Sequence, residues 1–334
     1  MSKFATYLHP QTVQTSKPAE RISFAGHSWP YFSQVRQQLA ESLAHYPSLP
    51  LKRVNIAEYG RVHTQTYLQK LQQMANDTPP PELPNLGIGC DGLEYCLPGY
   101  EYSLGGMFQA IDAAKKGTMD RTYCFSLGGH HAFQDWGHGY CILNPQAVAA
   151  RYAQEVGFAK ILIVDWDLHH GDGTQAIFAN DKNVHCISIH SIGDLYMAVS
   201  KGIRYATTAQ AEKDGQCNIP ILGESFDDHF YAQMQLEGQY YRAENSLEIF
   251  AKTLNTLPWQ PDYLFLFSGY DAHIDDQGSG ITNWTNDDYR TLTKIVLDVA
   301  KRAACPILSV HGGGYTLPVA VKAAECHVEL LANY

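Results

Sequence analysis

Five apolar runs in this chain each end in a polar turn that carries histidine, aspartate or glycine. They are Tyr123–Leu127 before Gly128-Gly129-His130-His131, Ile161–Val164 before Asp165-Trp166-Asp167-Leu168-His169-His170-Gly171-Asp172-Gly173, Val184–Ile189 before His190, Tyr263–Phe267 before Ser268-Gly269-Tyr270-Asp271, and Pro306–Val310 before His311-Gly312-Gly313-Gly314-Tyr315. Short runs rich in β-branched and aromatic residues read as buried strands. Helix-like stretches lie between them: Pro145–Val156 after the cap Asn144, Tyr231–Leu257, and Asp287–Ala304 after the cap Asn286. This alternation predicts an α/β chain with a mainly parallel β-sheet and helices on both faces. Ligands of such sheets gather at the carboxyl ends of the strands, where all five polar turns fall.

The first hundred residues are patterned more weakly. Helical periodicity covers Phe32–Leu43 and Tyr67–Met74, and Thr78-Pro79-Pro80-Pro81-Glu82-Leu83-Pro84 must be a loop, since consecutive prolines lack backbone donors. No linker divides the 334 residues, so a single domain spanning 1–334 is expected. Only 17% of residues are charged against 45% hydrophobic, which implies a large interior. The longest apolar runs fall far short of the roughly 20 residues that cross a membrane, and Met1–Pro10 has no basic segment leading into an apolar one. The expectation is a soluble cytoplasmic protein without a membrane partner. Eight scattered cysteines without a CxxC pair read as reduced, packed thiols. A net charge of −10 argues against nucleic acid as a partner and suits a cationic substrate mildly better.

The turn after Ile161–Val164 is the most informative. In an extended backbone Asp165, Asp167 and His169 share one side. Carboxylates converging on an imidazole repel one another unless a cation or protons lie between them, so a metal site is the natural reading. Asp167, His169 and a third donor suit Zn²⁺, which at catalytic sites takes three protein ligands and keeps a position open. Asp271 is the best third candidate because it also follows a buried strand; alone, such an Asp is more often a cap or turn residue. His131 can take a proton from water if Asp172 holds its other ring nitrogen, and Asp165 can serve His130 in the same way. Tyr315, hinged on three glycines, can aim its hydroxyl at a carbonyl on the metal.

Together these residues resemble the zinc-dependent histone deacetylase superfamily, including its bacterial deacetylase-like and acetylpolyamine amidohydrolase members, within the arginase/deacetylase fold. The resemblance covers roughly Gly89 to Ala320 and rests on GGHHA at 128–132, GYCILN at 139–144, VDWDLHHGDGTQ at 164–175, SIH at 188–190, SGYDAH at 268–273 and GGGYTLP at 312–318, in the family's order. It implies one zinc per chain on Asp167, His169 and Asp271, His131 as general base and later acid, and His130 as its electrostatic neighbour. Asp165 and Asp172 are similar to the carboxylates behind the two histidines, and Tyr315 to the transition-state tyrosine. Gly139 and Tyr140 resemble one wall of the substrate tunnel, with Tyr196 opposite. The family often binds potassium as well, which implies a site at Asp165 and Ser188 with main-chain carbonyls of Asp167, His169 and Ile189.

Two segments depart from the family. Ser126-Leu127-Gly128-Gly129 replaces the common Arg-Pro-Pro-Gly, and His273-Ile274-Asp275-Asp276-Gln277-Gly278 lacks the Pro-Leu that often lines the tunnel. Both flank the substrate path. The implied reaction is hydrolysis of an acetyl or other short acyl amide on an amine, such as acetyl-lysine, an acetylpolyamine or a related small molecule. Rim candidates are the proline loop 78–84 and Cys90–Cys96, whose Asp91 and Glu94 would meet a second cationic amine. Two alternatives stand: an arginase-type ureohydrolase with two manganese ions, suggested by Asp271-Ala272-His273-Ile274-Asp275, and a non-catalytic acyl-lysine binding module.

Overall fold

Runs of Ile, Leu, Val, Phe and Tyr can be buried on both sides only when a sheet is covered on both faces. In the structure, a computed structural model, every position of Ile161–Asp165 and of Tyr263–Ser268 is buried. Residues 3–17, 23–24, 27–28, 30–76, 87, 89–90, 92–193, 203–224 and 228–334 are described. The strands are β1 (Phe4–Tyr7), β2 (Ser23–Phe24), β3 (His27–Ser28), β4 (Arg121–Cys124), β5 (Ile161–Asp165), β6 (Val184–Ser191), β7 (Cys217–Ile221), β8 (Tyr263–Ser268) and β9 (Ile307–His311). Seven of them form one parallel sheet in the order β1-β4-β9-β8-β5-β6-β7, and β2 and β3 pair separately.

The described helices are α1 (Pro30–Ser42), α2 (Gln65–Ala75), α3 (Leu97–Lys115), α4 (Pro145–Glu155), α5 (Asp172–Ile177), α6 (Thr208–Lys213), α7 (Asp228–Gln233), α8 (Ser246–Asn255), α9 (Asn286–Ala303) and α10 (Leu317–Asn333). Asn144 caps α4 as expected: its side chain accepts from the Ala147 N–H at 2.9 Å, with Pro145 in the first turn. The cap of α9 is Thr285, one residue earlier than expected, where Asp288 Oδ2 reaches back to accept from the Thr285 N–H at 2.7 Å. The long helix expected over Tyr231–Leu257 is broken. Tyr241 instead pairs with the edge strand β7 at Ile221, and helix resumes with a 3-10 turn at Ala243–Asn245 that leads into α8. No described helix is long and apolar enough to cross a membrane.

Register aligns the carboxyl ends. Asp165 lies opposite Ser188 on β6 and Phe267 on β8, and Ser268 lies opposite His311 on β9. The polar turns therefore leave the sheet side by side.

The interior also holds fully buried histidines. Burial pushes His63 and His190 down to about 4 and His327 down to about 3. His63 Nε2 accepts the Asn144 N–H at 3.0 Å, a bond that protonation would abolish. An unfolded histidine titrates near 6.5, so between that pH and the folded values the unfolded chain binds more protons. The contribution of these histidines is therefore complete above about pH 6.5 and is lost on acidification, by up to about 1.4 kcal/mol per pH unit for each. Denaturant midpoints measured at about pH 7.5 and about pH 5 should show the loss at the lower pH; an equal or higher midpoint at about pH 5 would contradict it.

Candidate functional site

The chain leaves the extended conformation right after Asp165, so the two-residue alternation stops there. Asp165 is accordingly not in the donor cluster with Asp167 and His169. Its Oδ1 accepts the Asp167 N–H at 3.0 Å, and its Oδ2 accepts from His130 Nδ1 at 2.9 Å. Asp167 and His169 instead turn toward the loop after β8. His169 Nδ1 lies 3.1 Å from Asp167 Oδ1 and 2.9 Å from Asp271 Oδ2, and the three donor atoms fall within 4.8 Å of one another.

Two glycines let these loops nest. A Cβ at Gly269 would meet Asp167 at 2.4 Å, and one at Gly313 would meet Asp271 Oδ2 at 2.4 Å. With no side chain in the way, the Gly313 N–H donates to Asp167 Oδ2 at 2.7 Å. Asp271 Oδ1 accepts the Leu168 N–H at 2.9 Å, while its Oδ2 is buried and makes no hydrogen bond among the described residues. Burial pushes Asp271 up to about 7, with the Asp167 charge adding to it. Burial acts upward on Asp167 too, yet His130 and His169 hold it well below the usual carboxylate range. Two carboxylates and an imidazole with an oxygen aimed inward form a donor set that fits a zinc ion.

Beside the cluster stand two histidine–aspartate pairs. His131 Nδ1 donates to Asp172 Oδ1 at 2.8 Å, and Asp172 opens α5. The rings of His130 and His131 are 4.1 Å apart, and His130 stacks on Phe267 at 4.3 Å. Burial alone would lower His130, but Asp165 and Asp167 outweigh it and raise it to about 9.

A cavity of about 90 Å³ opens onto these groups, its wall including Phe32, His131, Tyr140, His169, Gln277 and Tyr315. Tyr140 reaches it from a two-residue turn in which Gly139 has φ 52° and Tyr140 φ 61°, closed by His138 and Cys141 through main-chain bonds of 2.9 and 2.8 Å. Gly139 is required at its place, because a Cβ there would lie 2.5 Å from the His131 ring. Tyr315 stands 6.3 Å from His169, ring to ring, and Asp276 Oδ2 fixes its loop by accepting the N–H groups of Tyr315 and Thr316 at 2.8 and 2.6 Å.

Other expected positions fall differently. Tyr196, Asp91 and the proline loop lie outside the described residues. Glu94 is buried and is not part of the cavity wall. Asp165 and Ser188 are register neighbours, with Ser188 Oγ 2.7 Å from His190 Nδ1. Phe32 and Gln277 were not anticipated. Phe32 sits in a helix whose periodicity reads as core, whereas Gln277 falls in a segment already marked by its departure from the family pattern.

A seven-stranded parallel sheet with this site at its carboxyl edge is the arginase/deacetylase fold. The HD domain of HDA15 superposes with a TM-score of 0.74, covering 100% of this chain and 90% of that domain at 20% identity. Residues 30–331 match the histone deacetylase domain, and the chain belongs to that family. Histone deacetylase 6 of Caenorhabditis elegans is 33% identical over 240 residues, 69% of this chain and 23% of that protein. The histone deacetylase-like amidohydrolase of Pseudomonas aeruginosa is 29% identical over 266 residues, 77% of this chain and 63% of that protein. The acetoin utilization protein AcuC of Bacillus subtilis is 28% identical over 274 residues, 78% of this chain and 64% of that protein. The chain thus spans less than two thirds of each of these relatives.

Proposed function

We propose that this chain, acting as one catalytic domain over 1–334, is a zinc-dependent deacylase. It hydrolyses an acetyl or other short acyl amide on an amine such as acetyl-lysine, an acetylpolyamine or a related small molecule. The observation that carries the reading is the meeting of three elements at one cavity: the donor cluster, the His131–Asp172 pair and Tyr315. Asp167, His169 and Asp271 would hold the zinc, which when bound polarises a carbonyl and lowers the pKa of water.

The remaining chemistry belongs to side chains. Asp172 accepts the Nδ1 proton of His131, which leaves the Nε2 lone pair as the base that removes a proton from water. The same nitrogen then returns a proton to the departing amine. His130, charged through Asp165 and Asp167, adds positive potential beside the anion that develops on the carbonyl oxygen. Tyr315 donates its hydroxyl to that oxygen. Tyr140 and Phe32 flank the stem of the acylated amine and exclude water. A potassium ion at Asp165 and Ser188, with carbonyls of Asp167, His169 and Ile189, belongs to the same proposal, supported by the register pairing of β5 with β6.

The arginase-type alternative loses its motif. Asp275 is 73% exposed, Asp271 is fully buried, and Asp275 joins neither donor cluster among the described residues, which weighs against a two-metal bridge. Acetate release from an acetyl-lysine peptide and from acetylputrescine should stop on chelation and return with one equivalent of zinc. Activity that survives chelation, or that needs two manganese ions per chain, would overturn the reading.

A further inference from the structure

A second buried histidine stands behind the base. His138 is fully buried, and its Nε2 lies 3.4 Å from Asp172 Oδ2. The other oxygen of Asp172 accepts from His131 Nδ1 at 2.8 Å and from the Gly173 N–H at 3.0 Å. The rings of His131 and His138 are 5.4 Å apart, and Trp136 packs beside His138 at 5.4 Å. One carboxylate is therefore approached by two imidazoles, one on each oxygen.

The main chain of His138 has a separate task. It closes the turn that carries Gly139 and Tyr140, and that turn touches the base, since a Cβ on Gly139 would strike His131. A single residue thus joins the tunnel wall to the carboxylate that orients the base. From this arrangement we infer that His138 is a positioning residue: its ring, at ion-pair distance from Asp172 Oδ2, steadies the carboxylate plane and so holds His131 in the orientation that proton transfer needs. The inference rests on the deacylase reading for its kinetic consequence alone. His131, His138 and Asp172 also offer donor atoms within 4.8 Å of one another, so a metal is the competing occupant. The cavity wall includes Asp167 and His169 but neither His138 nor Asp172, which favours positioning over a second metal.

The test uses zinc-loaded protein and an acetyl-lysine peptide. His138→Ala should lower kcat about tenfold with KM changed less than about twofold, and His138→Gln, whose amide N–H can reach Asp172, should regain most of the loss. In an Asp172→Asn background His138→Ala should cost nothing further, since partners in one network are not additive. The Nδ1 proton resonance of His131, recorded without substrate, should move in His138→Ala and return in His138→Gln. Loss carried by KM, full additivity with Asp172→Asn, an unmoved resonance, or a second metal equivalent that disappears with His138→Ala would each overturn the assignment. Should the wild-type protein release no acetate, the deacylase reading fails while the resonance still decides the role of His138.

Discussion

Tyr315→Phe should retain zinc at the wild-type level and lose most of its turnover, by about 10²–10³ in kcat, the usual cost of one donor to a developing oxyanion. The substitution removes a single oxygen from a ring that lines the cavity. The loop is held by the main chain, through the Tyr315 and Thr316 N–H groups on Asp276 and the Tyr31 hydroxyl on the Gly314 carbonyl at 2.9 Å, so the ring should keep its place. Tyr315 is not in the donor cluster, which is why metal content is expected to hold. KM should change far less than kcat, because the bond gains its strength as charge builds on the oxygen. Wild-type turnover in the variant would remove Tyr315 from the reaction. Loss of zinc with loss of turnover would make it a structural support instead.

Five strands of the seven-stranded sheet were legible because their signal is local, while the short edge strands β1 and β7 were not. Ile161–Val164 and Tyr263–Phe267 are each long enough and apolar enough to announce burial, and the observed strands extend those runs only by Asp165 and Ser268. Helix α3 was not legible. Its Gly105 and Gly106 lower helix propensity, yet they are there for packing: a Cβ at Gly106 would meet the Tyr7 ring at 2.3 Å, and one at Gly105 the Lys52 carbonyl at 2.2 Å. That demand is set by β1 and its flanking loop, far away in sequence. Asp165 shows both sides of this: its pairing with His130 was legible, whereas alternation also put it with Asp167 and His169, from which the bend after β5 separates it. The grouping of Asp167, His169 and Asp271, and of His131 with Asp172, was legible from residue type and strand ends, whereas where Phe32, Gln277 and His138 sit depends on which elements meet, and no spacing encodes that.

The cluster itself is tested by Asp167→Ala, which should abolish both zinc binding and activity. Asp167 makes three contacts at once: Oδ1 with His169, Oδ2 with the Gly313 N–H, and a place beside Asp271. Without it two donors remain, one short of the set that catalytic zinc ordinarily takes. Lewis-acid assistance contributes several kcal/mol, and about 1.4 kcal/mol corresponds to a decade, so activity should fall by on the order of 10³ or more. A second readout needs no substrate. Zinc added to chelated wild-type protein should raise its Tm, because a ligand that binds only the folded state stabilises it, whereas Asp167→Ala should show no rise. Asp271→Asn should behave likewise, although the amide keeps the shape of the carboxylate and can still accept the Leu168 N–H. If both variants bound one zinc per chain and turned over normally, the ion would have to sit elsewhere, and Asp271 Oδ2 would be left facing only the His169 ring.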